Sequence, residues 1–224
     1  MNHAPRIKTV LFDLDGTLVD TAPDLAQALN RVLEEEGRSP APFELVRAQA
    51  SYGGKAIVRA GFSIEETDPE FERLRKRFLE NYSEQLCVHS KLFDGMENVL
   101  RHIETNHRQW GVVTNKPSYL TDPLMRALGL EERAACIVSG DTTAKSKPDP
   151  LPINYACEIS GAETGECVYI GDAERDIEAG HRAGMRTLAA AFGYLRDIDD
   201  PRAWGANHVL NTPGEIIDWL EQHG

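Results

Sequence analysis

Short apolar runs punctuate the chain at residues 9–12, 110–113, 136–138, 167–170, 187–192 and 208–210, and each ends in polar or glycine residues. Amphipathic segments lie between most of them, and from residue 94 onward helix and strand signals alternate. That alternation predicts an α/β fold, a parallel sheet with helices on both faces. Ligands of such sheets bind outside the carboxyl ends of the strands. One gap breaks the rhythm. Between Phe12 and Trp110 no segment reads as a strand, and helices are expected at 21–36, about 42–60, 69–86 and 94–105. A parallel crossover needs only one helix. Residues 20–91 therefore read as an all-helical insertion, with 1–19 and 92–224 forming the core. The insertion leaves the sheet at the end of the first strand and can cover that end as a lid. Thr21-Ala22-Pro23-Asp24 resembles a capping box at its first helix.

The net charge of −12 disfavours nucleic acid and anionic membrane as partners, although cations gathered locally can still hold a small anion. The four cysteines, Cys87, Cys136, Cys157 and Cys167, are widely spaced with no C-x-x-C pair. They read as free thiols of a reducing compartment. No apolar run approaches the length of a signal or spanning segment, so a soluble cytoplasmic protein is expected.

Four polar motifs follow four of the apolar runs: Asp13-Leu14-Asp15-Gly16-Thr17, Thr114-Asn115-Lys116, Lys145-Ser146-Lys147-Pro148 and Gly171-Asp172-Ala173-Glu174-Arg175-Asp176. Singly, each has a plain structural reading as a turn, a helix cap, a loop lysine or helix-start acids. Together, at one sheet edge, they collect carboxylates, a hydroxyl and a lysine in one cleft. Carboxylates at close range raise each other's pKa unless a cation lies among them. An oxygen-only donor set without His or Cys suits Mg²⁺. Asp13 and Asp172 would hold it directly, with the backbone carbonyl of Asp15. An anion drawn in by Mg²⁺ and Lys147 meets Asp13, whose carboxylate can act as nucleophile. Asp15 is then free for proton transfer. Gly16 lets the backbone approach the anion.

These four motifs, in this order and spanning the chain, resemble the haloacid dehalogenase superfamily of phosphotransferases. The resemblance implies a Rossmann-like core, an inserted helical cap and Mg²⁺-dependent phosphoryl transfer through an aspartyl-phosphate. It makes Asp13 the nucleophile and Asp15 the general acid/base. Thr114, with Asn115 beside it, and Lys147 would bind the phosphoryl group. Asp13, Asp15 and Asp172 would be the metal ligands, and Asp176 would orient Asp172 or Lys147. Dehalogenases and phosphonate hydrolases of the superfamily lack an acid at the Asp15 position, so a phosphate ester of a small metabolite is the expected substrate. A sugar phosphomutase uses the same motifs, and a non-catalytic phosphate or Mg²⁺ sensor is the reading from another class. Residues 139–141 and 147–150 resemble the phosphoglycolate phosphatases. Residues 88–93, 110–117 and 204–206 resemble the N-acetylmuramic acid 6-phosphate phosphatases of cell-wall recycling, which ranks that substrate first and phosphoglycolate second.

Selectivity is expected in the insertion. Ser51-Tyr52-Gly53-Gly54-Lys55 reads as a loop, either a plain connector or a segment that dips into the cleft. In the second case Tyr52 would stack on a sugar ring beside Gly53 and Gly54. Lys55, or Lys91 and His89 where the insertion rejoins the core, would pair with a substrate carboxylate. For His89 a hinge role without substrate contact is an equal alternative.

Overall fold

The computed structural model describes residues 6–223. Six parallel strands form the sheet: β1 (Thr9–Phe12), β4 (Gln109–Val113), β5 (Ile137–Val138), β6 (Cys167–Gly171), β7 (Arg186–Ala190) and β8 (His208–Leu210). Their order is β5-β4-β1-β6-β7-β8, so the first strand in sequence lies centrally, between β4 and β6. Alternate residues of a strand face opposite sides of a sheet. Val10, Phe12, Val168 and Ile170 pack on the side covered by α5 (Met96–Thr105), α6 (Ser118–Ala127) and α9 (Glu215–His223). Leu11, Cys167 and Tyr169 pack on the other side, under α7 (Leu151–Ser160) and α8 (Glu174–Arg182). The central strands are thus buried on both faces, which is why they read as unbroken apolar runs.

Residues 22–84 hold four helices: α1 (Ala22–Glu35), α2 (Phe43–Arg47), α3 (Gly53–Phe62) and α4 (Phe71–Glu84). Leu25, Leu29, Val32 and Leu33 of α1 are buried, as are Phe71, Leu74, Phe78 and Tyr82 of α4. The single helix expected near 42–60 is instead α2, a 3₁₀ turn (Ala50–Tyr52) and α3. Gly53 takes φ +79°, which a helix cannot contain, so the chain restarts there.

Two further differences concern the joints. A short ribbon pairs β2 (Val19–Asp20) antiparallel to β3 (Lys91–Leu92), closing the insertion at its base. Two-residue strands carry no periodicity, so the sequence shows no strand there. Thr21 does not cap α1; its hydroxyl donates to Asp15 Oδ1 at 2.6 Å. Asp24 is buried and accepts from the amides of Val88 (3.1 Å), His89 (2.9 Å) and Ser90 (2.8 Å), and from the Ser90 hydroxyl (2.6 Å). One carboxylate thereby ties the insertion's return strand to its first helix. The four cysteines are free thiols. Among the described residues no helix is long and apolar enough to cross a membrane.

Candidate active site

Asp13 leaves the end of β1, its amide donating to the Ile170 carbonyl at 2.8 Å. Its Oδ1 accepts from the Leu14 amide (2.7 Å) and lies 3.0 Å from Lys147 Nζ. The Lys147 ammonium is fully buried and sits 2.8 Å from Asp176 Oδ1, 2.8 Å from the Val113 carbonyl and 2.7 Å from the Tyr169 hydroxyl. Asp176 also accepts, through Oδ2, from the Ala173 amide at 3.0 Å. Of the two residues that Asp176 is expected to orient, Asp172 and Lys147, it is Lys147 with which it forms the ion pair. Asp13, Asp172 and Asp176 converge, with one oxygen of each within 4.8 Å of the others.

Asp172 has a different shell. Its Oδ2 accepts from Ser51 Oγ (2.5 Å) and the Tyr194 amide (2.9 Å), and its Oδ1 from Thr17 Oγ1 (3.3 Å). Burial, and then the charges of Asp13 and Asp176, push its pKa up to about 7, while the Ser51 and Tyr194 hydrogen bonds pull the other way. Gly16, at φ +88°, lies against it: a Cβ there would stand 2.1 Å from Asp172 Oδ2. Three buried carboxylates of hard oxygen, one without an ammonium in its shell, are a donor set that fits Mg²⁺. The folded state raises the Asp172 pKa, so this group withdraws stability as pH rises from its ordinary 3.8 to about 7. A divalent cation need not displace that proton above pH 7. Mg²⁺ is thus expected to raise Tm more at pH 8 than at pH 5.5, and thermal melts showing the reverse order would contradict the site.

Asp15 points elsewhere. Its Oδ1 is held by Thr21 Oγ1 and by Lys116 Nζ at 2.9 Å, and Lys116 Nζ also meets the Tyr82 hydroxyl at 2.8 Å. Burial pulls the Lys116 ammonium down, but Asp15 and Tyr82 outweigh it and the net shift is upward. Thr114 is buried beside them, its hydroxyl accepting from the Lys116 amide at 3.2 Å. The Asn115 side chain does not reach into the cleft as a free donor. It donates to the Lys147 carbonyl (2.9 Å) and accepts from the Lys147 amide (3.0 Å), clamping the lysine's backbone.

A cavity of about 540 Å³ opens over Asp13 and Asp15. Thr114, Asn115, Tyr52, Gly53, Gly54 and Lys55 line it as expected. His89 and Lys91 do not. Both are exposed, and Lys91 pairs with Asp94 at 3.0 Å. The amides of Val88, His89 and Ser90 are clamped on Asp24 while the His89 side chain is exposed. Gly53 and Gly54 open α3 rather than forming a free loop, and the Tyr52 hydroxyl is held by Asp199 at 3.0 Å. Burial, then that hydrogen bond, raises the Tyr52 pKa to about 12.

Arg75, Tyr82, Lys116 and Arg175 are among the lining residues that were not apparent as site residues from sequence. Arg75, Phe78, Leu79 and Tyr82 share one face of α4 at i, i+3, i+4, i+7, a spacing that reads equally well as core. Lys55, Arg75, Lys116 and Arg175 bring four cationic side chains to the cavity of an acidic protein, against the two carboxylates of Asp13 and Asp15, a local balance that favours anions.

The family model for haloacid dehalogenase-like hydrolases matches residues 10–190, from β1 through β7. The chain belongs to this family. Among haloacid dehalogenase-like hydrolases, the N-acetylmuramic acid 6-phosphate phosphatase of Pseudomonas putida is 43% identical over 211 residues, covering 94% of this chain and 95% of its own length. A phosphoglycolate phosphatase of Xanthomonas campestris is 39% identical over 209 residues, 93% of this chain and 94% of its own. The crystal structure of a predicted phosphoglycolate phosphatase from Haemophilus somnus matches with a TM-score of 0.84 at 27% identity, covering 96% of this chain and 98% of that one.

Proposed function

We propose that this hydrolase, a phosphatase, releases phosphate from N-acetylmuramic acid 6-phosphate by an Mg²⁺-dependent route through an aspartyl-phosphate on Asp13. Residues 20–91 act as its cap, over a catalytic core of 1–19 and 92–224. The observation that carries the reading is the cavity: the Asp13 cluster opens on about 540 Å³ walled by the cap and studded with cations. That volume lies within the ~300–1,000 Å³ of pockets that enclose whole small molecules. A phosphorylated amino sugar fills such a space, and two-carbon phosphoglycolate leaves most of it to water. The relative at 43% identity carries the same substrate in its name. The free thiols fit a cytoplasmic setting.

In this reading Asp13, Asp172 and the Asp15 carbonyl hold Mg²⁺, which neutralises the repulsion between carboxylate and phosphate. Lys147 anchors Asp13 Oδ1, leaving Oδ2 to attack phosphorus. Thr114 and Lys147 bind phosphoryl oxygens. As the P–O bond to the sugar breaks, Asp15 gives its proton to the leaving alkoxide. It then takes a proton from the water that cleaves the acyl-phosphate and frees inorganic phosphate. Arg75 and Lys55, which line the cavity, meet the substrate's carboxylate in this reading, each exchanging a solvent-facing partner, Glu72 or Glu66, for it. Leu25, Phe78 and Leu79 offer apolar wall to the sugar face and acetyl methyl.

The test is kcat/KM for N-acetylmuramic acid 6-phosphate and phosphoglycolate side by side in Mg²⁺. A preference of tenfold or more for the sugar is expected, with no turnover of either in EDTA. A preference for phosphoglycolate would overturn the assignment. Arg75→Ala and Lys55→Ala are each expected to lower kcat/KM for the carboxylated sugar by about 1.5–3 kcal/mol, the range for a lost hydrogen bond to a charged group. Turnover of a small generic phosphate ester should not change.

A further inference from the structure

Ser51 is where the helical insertion touches the acid cluster. It lies in the buried 3₁₀ turn between α2 and α3, and the segment Gly171–Asp176 grips it twice. Its hydroxyl donates to Asp172 Oδ2 at 2.5 Å, and its carbonyl accepts from Arg175 Nη2. The same Asp172 oxygen accepts from the Tyr194 amide at 2.9 Å. Two short hydrogen bonds therefore fill Oδ2, one from the core and one from the insertion. Among the described residues, Oδ1 accepts only the longer 3.3 Å hydrogen bond from Thr17 Oγ1. The carboxylate is held with Oδ1 as the oxygen left for a cation, and half of that hold comes from a residue outside the core.

We propose that Ser51 is a positioning residue for the metal site, and that through it closure of the insertion and binding of the divalent cation reinforce each other. The inference rests on Asp172 being a metal ligand. Hydrogen-bond partners that orient a ligating group typically set metal affinity by about 10–100-fold. Here one such partner arrives only when the insertion lies on the core. A contact that favours cation binding in the closed form must, by linkage, favour the closed form when the cation is bound. Neighbouring contacts hold the insertion against the core without touching Asp172: Tyr52 of the same turn to Asp199 at 3.0 Å, and Arg47 Nη2 at the end of α2 to the Gly193 carbonyl at 3.0 Å. They provide a control for simple loosening.

The experiment is calorimetric titration of the full chain with Mg²⁺, without substrate, together with hydrogen exchange of the amides of residues 47–55. Ser51→Ala is expected to weaken Mg²⁺ binding about tenfold. Tyr52→Phe, which loosens the same turn but spares the Ser51 hydroxyl, should weaken it clearly less. Mg²⁺ should slow exchange of 47–55 in the wild type and do so much less in Ser51→Ala. The proposal is overturned if Ser51→Ala binds Mg²⁺ within about twofold of wild type, if Tyr52→Phe has an equal effect, or if Mg²⁺ protects 47–55 equally in both proteins. Asp172→Asn separates this failure from a failure of the site itself. Loss of binding in Asp172→Asn beside normal binding in Ser51→Ala removes only the role of Ser51. Wild-type binding in Asp172→Asn removes the metal assignment and the proposal with it.

Discussion

Replacing Asp13 by asparagine is expected to abolish turnover in a protein that still folds. The side chains are the same size, and the amide oxygen can still accept from the Leu14 amide. Lys147 loses one ion-pair partner but keeps Asp176 at 2.8 Å, the Val113 carbonyl and the Tyr169 hydroxyl. A lowered Tm is therefore expected, because a buried pair is broken, but not unfolding at 25 °C. Chemistry fails for a separate reason. An amide oxygen is a poor nucleophile and forms no stable acyl-phosphate. Steady-state hydrolysis, with circular dichroism to confirm folding, checks both halves. Turnover above about one per cent of wild type, with deamidation excluded by mass spectrometry, would rule out the covalent route.

Asp15→Asn should cost about 10²–10⁴-fold in kcat on a sugar phosphate, the usual worth of a positioned general acid/base. The asparagine oxygen can still accept from Thr21 and Lys116, so the geometry around it should persist. What disappears is the transferable proton. An alkoxide of high pKa needs that proton as it leaves, and p-nitrophenolate needs it far less. The loss should shrink on p-nitrophenyl phosphate for the first chemical step. Equal losses on both esters would take the acid role away from Asp15.

The sheet was legible in the sequence because its strands are buried on both faces, which leaves runs such as Cys167–Gly171 apolar throughout. The motif residues stood out only together, as four polar motifs that follow four such runs in order along the chain. Asp13, Lys147 and Asp172 are buried at 3%, 3% and 1% exposure, where unpaired charge is not tolerated. What escaped depends on contacts between distant segments. Lys116 adjoins a motif, but its bridge between Asp15 and Tyr82 needs α4 laid against the β4 end of the sheet. Asp24 looked like an ordinary first-turn acid until the return strand gave it three amides. His89 and Lys91 lie outside the cavity lining for the same reason: proximity in sequence to a hinge says nothing of which way the hinge turns.

The central place of β1 governs how the molecule is made. Its four residues emerge from synthesis before either partner, because those partners start only at Gln109 and Cys167. At ~5–20 residues per second, the second partner follows by roughly 8–30 s. Both edges of this apolar strand stay unpaired until Gln109–Val113 emerges, and one edge stays open for the rest of that interval. The helices of 22–84 meet within a shorter stretch of chain, and local contacts form sooner. The nascent protein thus assembles its helical insertion before its sheet, and a chain halted short of Cys167 holds Asp13 at the end of a strand that lacks one of its two neighbours.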